Sequence, residues 1–373
     1  MKFIIEKNEL LNGLRIVEKI TLQRGIQPVL ANFLLEAKEN EVVFSSTDYD
    51  NSVKTSCTAS IEKEGKITLP AKKLLDIVSR LSDKPISFEL DEEKFSVLIK
   101  SGNSKFEIVG ISASEFPEII KDEEVKNENS IKIEVEPFAK AVKKCVYSAA
   151  SYESRNVISG VFCSFKNNEL EMAATDGNRL SKYNDTLSGK EGIDSSVVIP
   201  SKTLLEFLRI IQITEDKLLE IIINNTKIVF KTDKFLLISR LQDGVFPPYN
   251  QLIPKNSEKT AIVNRQSLID AIERVAIVVD GRTSNIKFNF NENVLTLSAN
   301  TPNEGKGEEV IEAEYDAEEL NIAFNYKYVL ESLKIMEEEK VKIWLSTSLS
   351  ATVFSPEGQE NYLCLIMPME IRA

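Results

Sequence analysis

The side chains with most chemistry to offer lie in five short stretches of the chain. Ser284-Asn285-Ile286-Lys287 has the SxxK spacing of a serine nucleophile activated by lysine. It leads into a strand-like run rather than opening a helix, so the match reads as coincidence. Asp48-Tyr49-Asp50-Asn51 begins like a calcium loop but lacks the turn glycine and terminal glutamate at the needed spacing, and reads as a polar turn. Ala174-Thr175-Asp176-Gly177-Asn178-Arg179-Leu180 reads as a strand end, an Asp-Gly turn and a new strand. Arg240 to Tyr249 (RLQDGVFPPY) closes the middle third of the chain. The run from Tyr362 to Ala373 contains Met367-Pro368-Met369, which is either core strand or an adaptable apolar binding surface.

Composition narrows the chemistry further. Histidine is absent from all 373 residues, which removes the commonest general base and the commonest zinc ligand. Triads built on histidine are excluded, and the sequence holds no GxxxxGK[ST], GxGxxG, GxSxG or HExxH. We therefore expect no catalytic residue, no metal site and no cofactor. A hydrolase or transferase working with carboxylates alone is the weakest of three readings. The others are binding proteins without chemistry of their own, one presenting an apolar surface to a partner and one a basic face to a polyanion.

Cys57, Cys145, Cys163 and Cys364 form no CxxC pair, which predicts buried free thiols and a cytoplasmic setting. MKFIIEKNEL lacks a signal-peptide core, because charge returns at Glu6 and Lys7. No apolar run approaches a membrane span.

The positioning elements repeat. One apolar stencil, i, i+1, i+4, i+7, occurs at Leu10, Leu11, Leu14, Val17, at Phe138, Ala139, Val142, Cys145 and at Leu268, Ile269, Ile272, Val275, offset by 128 and 130 residues. A second set reads Leu74, Leu75, Val78, Leu81, then Leu204, Leu205, Leu208, Ile211, then Val329, Leu330, Leu333, Met336, offset by 130 and 125. Each stencil puts its side chains on one stripe of a helix. The chain is thus a threefold repeat with two helices per unit. Thr47-Asp48 recurs as Thr175-Asp176, and Phe116-Pro117 as Phe246-Pro247.

Between the helices, alternating or β-branched runs such as Ile86 to Leu90, Phe95 to Lys100 and Lys227 to Lys231 read as strands. Turns at Ser101-Gly102-Asn103, Asn167-Asn168 and Asn224-Asn225 separate several of them. The fold class is α+β, with two helices covering antiparallel sheets in each unit. Polar linkers at Lys121 to Ser130 and Pro254 to Thr260 put domains at 1–126, 127–254 and 255–373. The net charge is −12, yet the six helical segments carry 15 Lys and Arg against 7 Asp and Glu. Each cation alone is ordinary solvated surface. Shared across six helices, the bias suits a face turned to a polyanion.

The motifs in order resemble those of bacterial DNA polymerase III beta subunits, the replicative sliding clamps. They are the MKF start, LPAKKLLDI at 69–77, ATDGNRL at 174–180, SRLQDGVFPPY at 239–249 and the MPM at 367–369. The resemblance runs the whole length. It implies three repeated clamp domains and a head-to-tail homodimeric ring around double-stranded DNA, without sequence specificity and without catalysis. It also implies partners that dock through short peptides: the polymerase III alpha subunit, the clamp loader and other DNA-processing proteins.

Carried over position by position, the resemblance places Arg24, Lys72, Tyr152, Arg155 and Lys202 near DNA, Lys72 standing where relatives often have Arg. It places Phe106 and Ile108 against Ile277 and Val278 at the subunit contact, with plain core burial as the rival reading. The implied peptide pocket uses Ile158, Thr175, Gly177, Arg179, Leu180, Pro247 and Leu252, together with Leu365, Ile366, Met367, Pro368 and Met369. Asn325 and Tyr328 stand beside it. Asn178, Gln251 and Glu370 depart from the residues common in relatives (His, Arg and a basic residue), which implies a less positive rim.

Overall fold

The computed structural model describes residues 1–22, 27–119, 130–151, 156–187, 194–255, 258–280, 284–302 and 304–370. All six stencils fold as helices: α1 (Lys7–Glu18), α2 (Ala71–Arg80), α3 (Val135–Cys145), α4 (Ser201–Thr214), α5 (Arg265–Val275) and α6 (Tyr326–Ile335). In α1, α3 and α5 every stencil residue is buried. In α2, α4 and α6 the second position is less so, and Leu205 is 42% exposed. A neighbour in sequence is rotated about 100° around the helix, so these leucines flank the core stripe rather than fill it.

The chain forms two compact units, with the second repeat shared between them. The first comprises Met1–Phe138, Ser188–Ser195 and Lys202–Leu241. A five-stranded antiparallel sheet runs in the order Ser60–Lys63, Lys2–Ile5, Ile86–Asp91, Ser96–Ser101, Ser104–Val109. An eight-stranded sheet joins four strands of the second repeat to four of the first through the pair Phe235–Arg240 and Asn51–Thr58. Helices α1 and α2 pack on each other. Phe138 and Phe207 meet edge to face at 5.4 Å and both touch Phe230, which ties helix to sheet.

The second unit comprises Ala139–Leu187, Ser196–Ser201 and Gln242–Ala373. Its twelve-stranded sheet crosses from second to third repeat where Arg179–Thr186 pairs antiparallel with Tyr362–Ile366. Phe288, Phe324 and Phe354 form an edge-to-face chain in its core, and α5 packs against α6.

Local chemistry explains the turns. Asn167 and Asn168 both take positive φ, 52° and 62°, as a tight hairpin with right-handed strands requires. Phe95, expected to start a strand, instead has φ 49° and the strand begins at Ser96. Ser284 also has positive φ, and Lys287 lies within the strand Asn285–Asn291, so the SxxK spacing builds no helical site. All four cysteines are free and buried. Burial raises the Cys57 thiol to about 12, with Glu9 adding to the shift.

Candidate functional site

In the second unit, the turn after the strand Glu169–Thr175 is built by its own side chains. Thr175 Oγ1 donates to the Arg179 carbonyl at 2.6 Å and accepts the Gly177 N–H at 3.1 Å. Asp176 Oδ1 accepts the N–H groups of Asn178 and Arg179, at 2.9 and 3.0 Å. Gly177 sits at φ +92°, a conformation that costs glycine little. The turn exists to deliver Arg179 into the fold.

Arg179 is 8% exposed and each of its three nitrogens has an acceptor. Nε donates to Asp176 Oδ2 at 3.0 Å, Nη1 to Glu331 Oε2, and Nη2 to the Tyr147 carbonyl at 2.6 Å. The guanidinium lies 4.4 Å from the Tyr328 ring centroid. Burial opposes this charge, but the hydrogen bond and charge of Glu331, with Asp176, outweigh it and hold the pKa above its ordinary value. Asn325 caps α6 by accepting the Lys327 N–H at 3.1 Å, which fixes the start of the helix that carries Tyr328 and Glu331.

The core strand of the C-terminal run ends at Ile366, before Met367-Pro368-Met369. Leu365 and Ile366 are core, paired across the sheet with Leu180 and Arg179. Beyond them the Met367 N–H bonds the Asn178 carbonyl at 2.9 Å and the Met369 N–H bonds the Ala323 carbonyl at 2.8 Å. The run is pinned at two points while the Met367 side chain stays 44% exposed. Leu180 and Leu365 share one apolar cluster with Phe246 and Tyr249, with Val157 packed at its edge. Ile158, partly buried, follows Val157, and its carbonyl accepts the Ala150 N–H. Pro247 accepts the Tyr249 N–H, and Gln251 and Leu252 stand exposed on the next turn.

The structure thus links Thr175, Gly177, Asn178, Arg179, Leu180, Tyr328, Leu365, Ile366 and Met367 through one set of contacts, while Met369 is tied to Ala323. Gln251 and Leu252 join only through Tyr249. Asp176, Glu331 and Tyr147 belong to the site and were missed. An aspartate three residues before Arg179 was the one signal available.

The first unit repeats the turn at Thr47 to Asn51. Thr47 Oγ1 again bonds the carbonyl four residues on, at 2.9 Å, and accepts the N–H two residues on, at 3.1 Å. The Arg240 N–H bonds the Asp50 carbonyl at 2.9 Å, as Met367 bonds Asn178. Here Asn51 occupies the place of Arg179. Thr203 donates to its Oδ1 at 2.6 Å, and the Thr203 and Ser239 hydroxyls meet at 2.7 Å.

Of the residues expected to face DNA, Arg24, Tyr152 and Arg155 lie outside the described residues. Lys72 is exposed on α2, and Lys202 bonds the buried Asp48 carboxylate at 2.6 Å. Lys144, counted with the polar faces, is instead buried. It bonds the Ile335 carbonyl at 3.1 Å, and burial lowers its pKa. Among the described residues Arg15, Lys72, Lys73, Lys140, Lys143 and Lys327 are exposed and make no ion pair.

At the sheet edges, Phe106 is 39% exposed on Ser104–Val109, which has a neighbour on one side only. It borders a cleft of about 570 Å³ lined also by Ile77, Leu81, Lys72 and Lys73. Ile108 is 4% exposed and so is core, where the sequence had placed it at a contact. In the second unit Ile277 is 79% exposed, while Val278 is partly buried and lies close to Gly307. Residues 305–312 of Gly305–Glu314 are paired on one side only, with Val294–Thr301.

Three family descriptions match in order: DNA polymerase III beta subunit, N-terminal domain at 1–120, central domain at 132–248 and C-terminal domain at 250–370. The beta sliding clamp of Synechococcus elongatus is 32% identical, with 100% of both chains covered. That of Bacillus subtilis is 29% identical, with 99% of each covered. Among solved structures, the Bacillus subtilis sliding clamp superposes at TM-score 0.91 with 28% identity, and the Thermotoga maritima beta subunit at 0.92 with 26%, each over 100% of both chains. The chain belongs to the DNA polymerase III beta subunit family, the beta sliding clamps.

Proposed function

We propose that two copies of the chain close head to tail into a ring around duplex DNA, and that partners are held by peptides seated in the groove beside Arg179 and Met367. Sliding-clamp function for DNA polymerase III, without chemistry of its own, follows from family membership. The ring, the peptide partners, a cytoplasmic setting and domain limits at 1–126, 127–254 and 255–373 are our own reading.

One observation carries it. Helices of one design sink an apolar stripe into sheets and leave unpaired cations, among them Lys72, Lys73, Lys140 and Lys143, on the opposite face. Such contacts attract phosphate without reading bases, so a protein that encloses DNA slides along it. Two of the singly paired strand edges, bearing Phe106 and Val310, are of the kind that pairs with another chain. A heterologous contact of this kind closes when its rotation divides a full turn.

The test is topological. Loaded on nicked circular plasmid, the protein stays bound through gel filtration, and cutting the plasmid once releases it. Retention on linear DNA with free ends would sink enclosure and favour an adaptor held by ordinary affinity.

A further inference from the structure

We propose that the segment docking in the groove carries a basic side chain, lysine or arginine, next to its apolar anchors, and that Glu331 receives it. This rests on the groove reading above and adds the charge of the occupant.

Arg179 is buried at 8% exposure and three of its five N–H groups are taken, so it offers little to an acidic partner. Each of its nitrogens is engaged, by Asp176, Glu331 and the Tyr147 carbonyl, and one face lies on Tyr328. Asp176 is equally committed, with Oδ1 on two backbone N–H groups and Oδ2 on Arg179 Nε. Glu331 differs. Its side chain is 50% exposed, Oε2 bonds Arg179, and among the described residues Oε1 has no hydrogen-bond partner. A second exposed carboxylate, Glu370, follows Met369 directly.

The neighbouring cations offset these charges only in part. Lys327 on α6 is exposed and makes no ion pair, so it cancels one of them, while Lys182 is held by Glu171 and Asn250. Among the described residues Asp176, Glu331 and Glu370 still outnumber Arg179 and Lys327, so the balance here is negative. Exposed Met367 is tied to the same turn through its N–H on the Asn178 carbonyl, so apolar anchor and cation can be satisfied together.

The test uses the full chain and labelled peptides that share two apolar anchors and differ in one flanking residue: Lys, Gln or Asp. Fluorescence anisotropy at low salt should show the Lys peptide binding about fivefold tighter than the Asp peptide, as a half-exposed ion pair allows. High salt should shrink that gap, and so should Glu331→Gln and, separately, Glu370→Gln, each checked for folding by Trp344 fluorescence. Equal binding of the Lys and Asp peptides, or a preference for Asp, overturns the proposal while leaving the groove intact. Failure of the neutral Gln peptide to bind overturns the groove reading, and this inference with it.

Discussion

Replacing Arg179 tests the central element of the proposed groove. Arg179→Ala removes two ion pairs, a hydrogen bond to the Tyr147 carbonyl and a stack on Tyr328. Breaking a buried pair by deleting one partner costs about 3–5 kcal/mol when the survivor keeps an uncompensated buried charge. Here the survivors are partly provided for. Asp176 keeps two backbone donors, and half-exposed Glu331 can rehydrate. The Tyr147 carbonyl loses a donor, worth about 1 kcal/mol. The expected loss is roughly 3 kcal/mol, and smaller for Arg179→Lys, which keeps the charge but not the planar fork. The chain's single tryptophan, Trp344, packs against the cluster containing Leu180 and Leu365, so its fluorescence during urea titration reports on this region. A loss below about 1 kcal/mol for Arg179→Ala, with peptide binding unchanged, would refute the view that Arg179 organises the groove.

Other expectations follow from particular contacts. Ending the chain after Ile366 keeps the core strand and removes Met367 onward, so polymerase stimulation should vanish while the dimer persists; monomer on gel filtration would contradict this. Ile277→Lys should leave a folded monomer, because an exposed residue becomes a buried unpaired charge only on assembly, and an unchanged dimer would show the contact misplaced. Gly13→Ala should destabilise by about 1–2 kcal/mol despite its helical setting, since the new Cβ would lie 2.9 Å from the buried Phe44 ring; a higher melting temperature would refute this. Burial raises the Glu206 carboxyl pKa, with Arg209, Lys19 and Lys202 opposing, and its Oε2 has no partner. A raised pKa means that ionising this group as pH climbs past its unfolded value weakens the fold. Glu206→Gln should therefore melt higher than the parent at pH 7 and alike at pH 4; calorimetry showing the reverse order would refute it.

Periodicity made the helices legible because one apolar stripe per helix is a local demand that the sequence must meet. The turn at Thr175 was legible for the same reason, its hydrogen bonds all closing within four residues. Glu331 and Tyr147 were not, because they meet Arg179 across 152 and 32 residues, and no spacing rule spans such gaps. Lys143 and Lys144 show a finer limit. Adjacent in sequence, one is solvated and the other buried against the end of α6, a difference set by a helix nearly two hundred residues away. Phe106 and Ile108 alternate alike, yet only the first borders the cleft.

The twinned turns differ in one respect that governs traffic. Around Asn51, the Thr203 and Ser239 hydroxyls and the Asn51 amide bond one another. Around Arg179 an aromatic face, a spare carboxylate oxygen and an uncovered methionine remain. On the proposed reading, clients that share the Arg179 turn succeed each other by displacement.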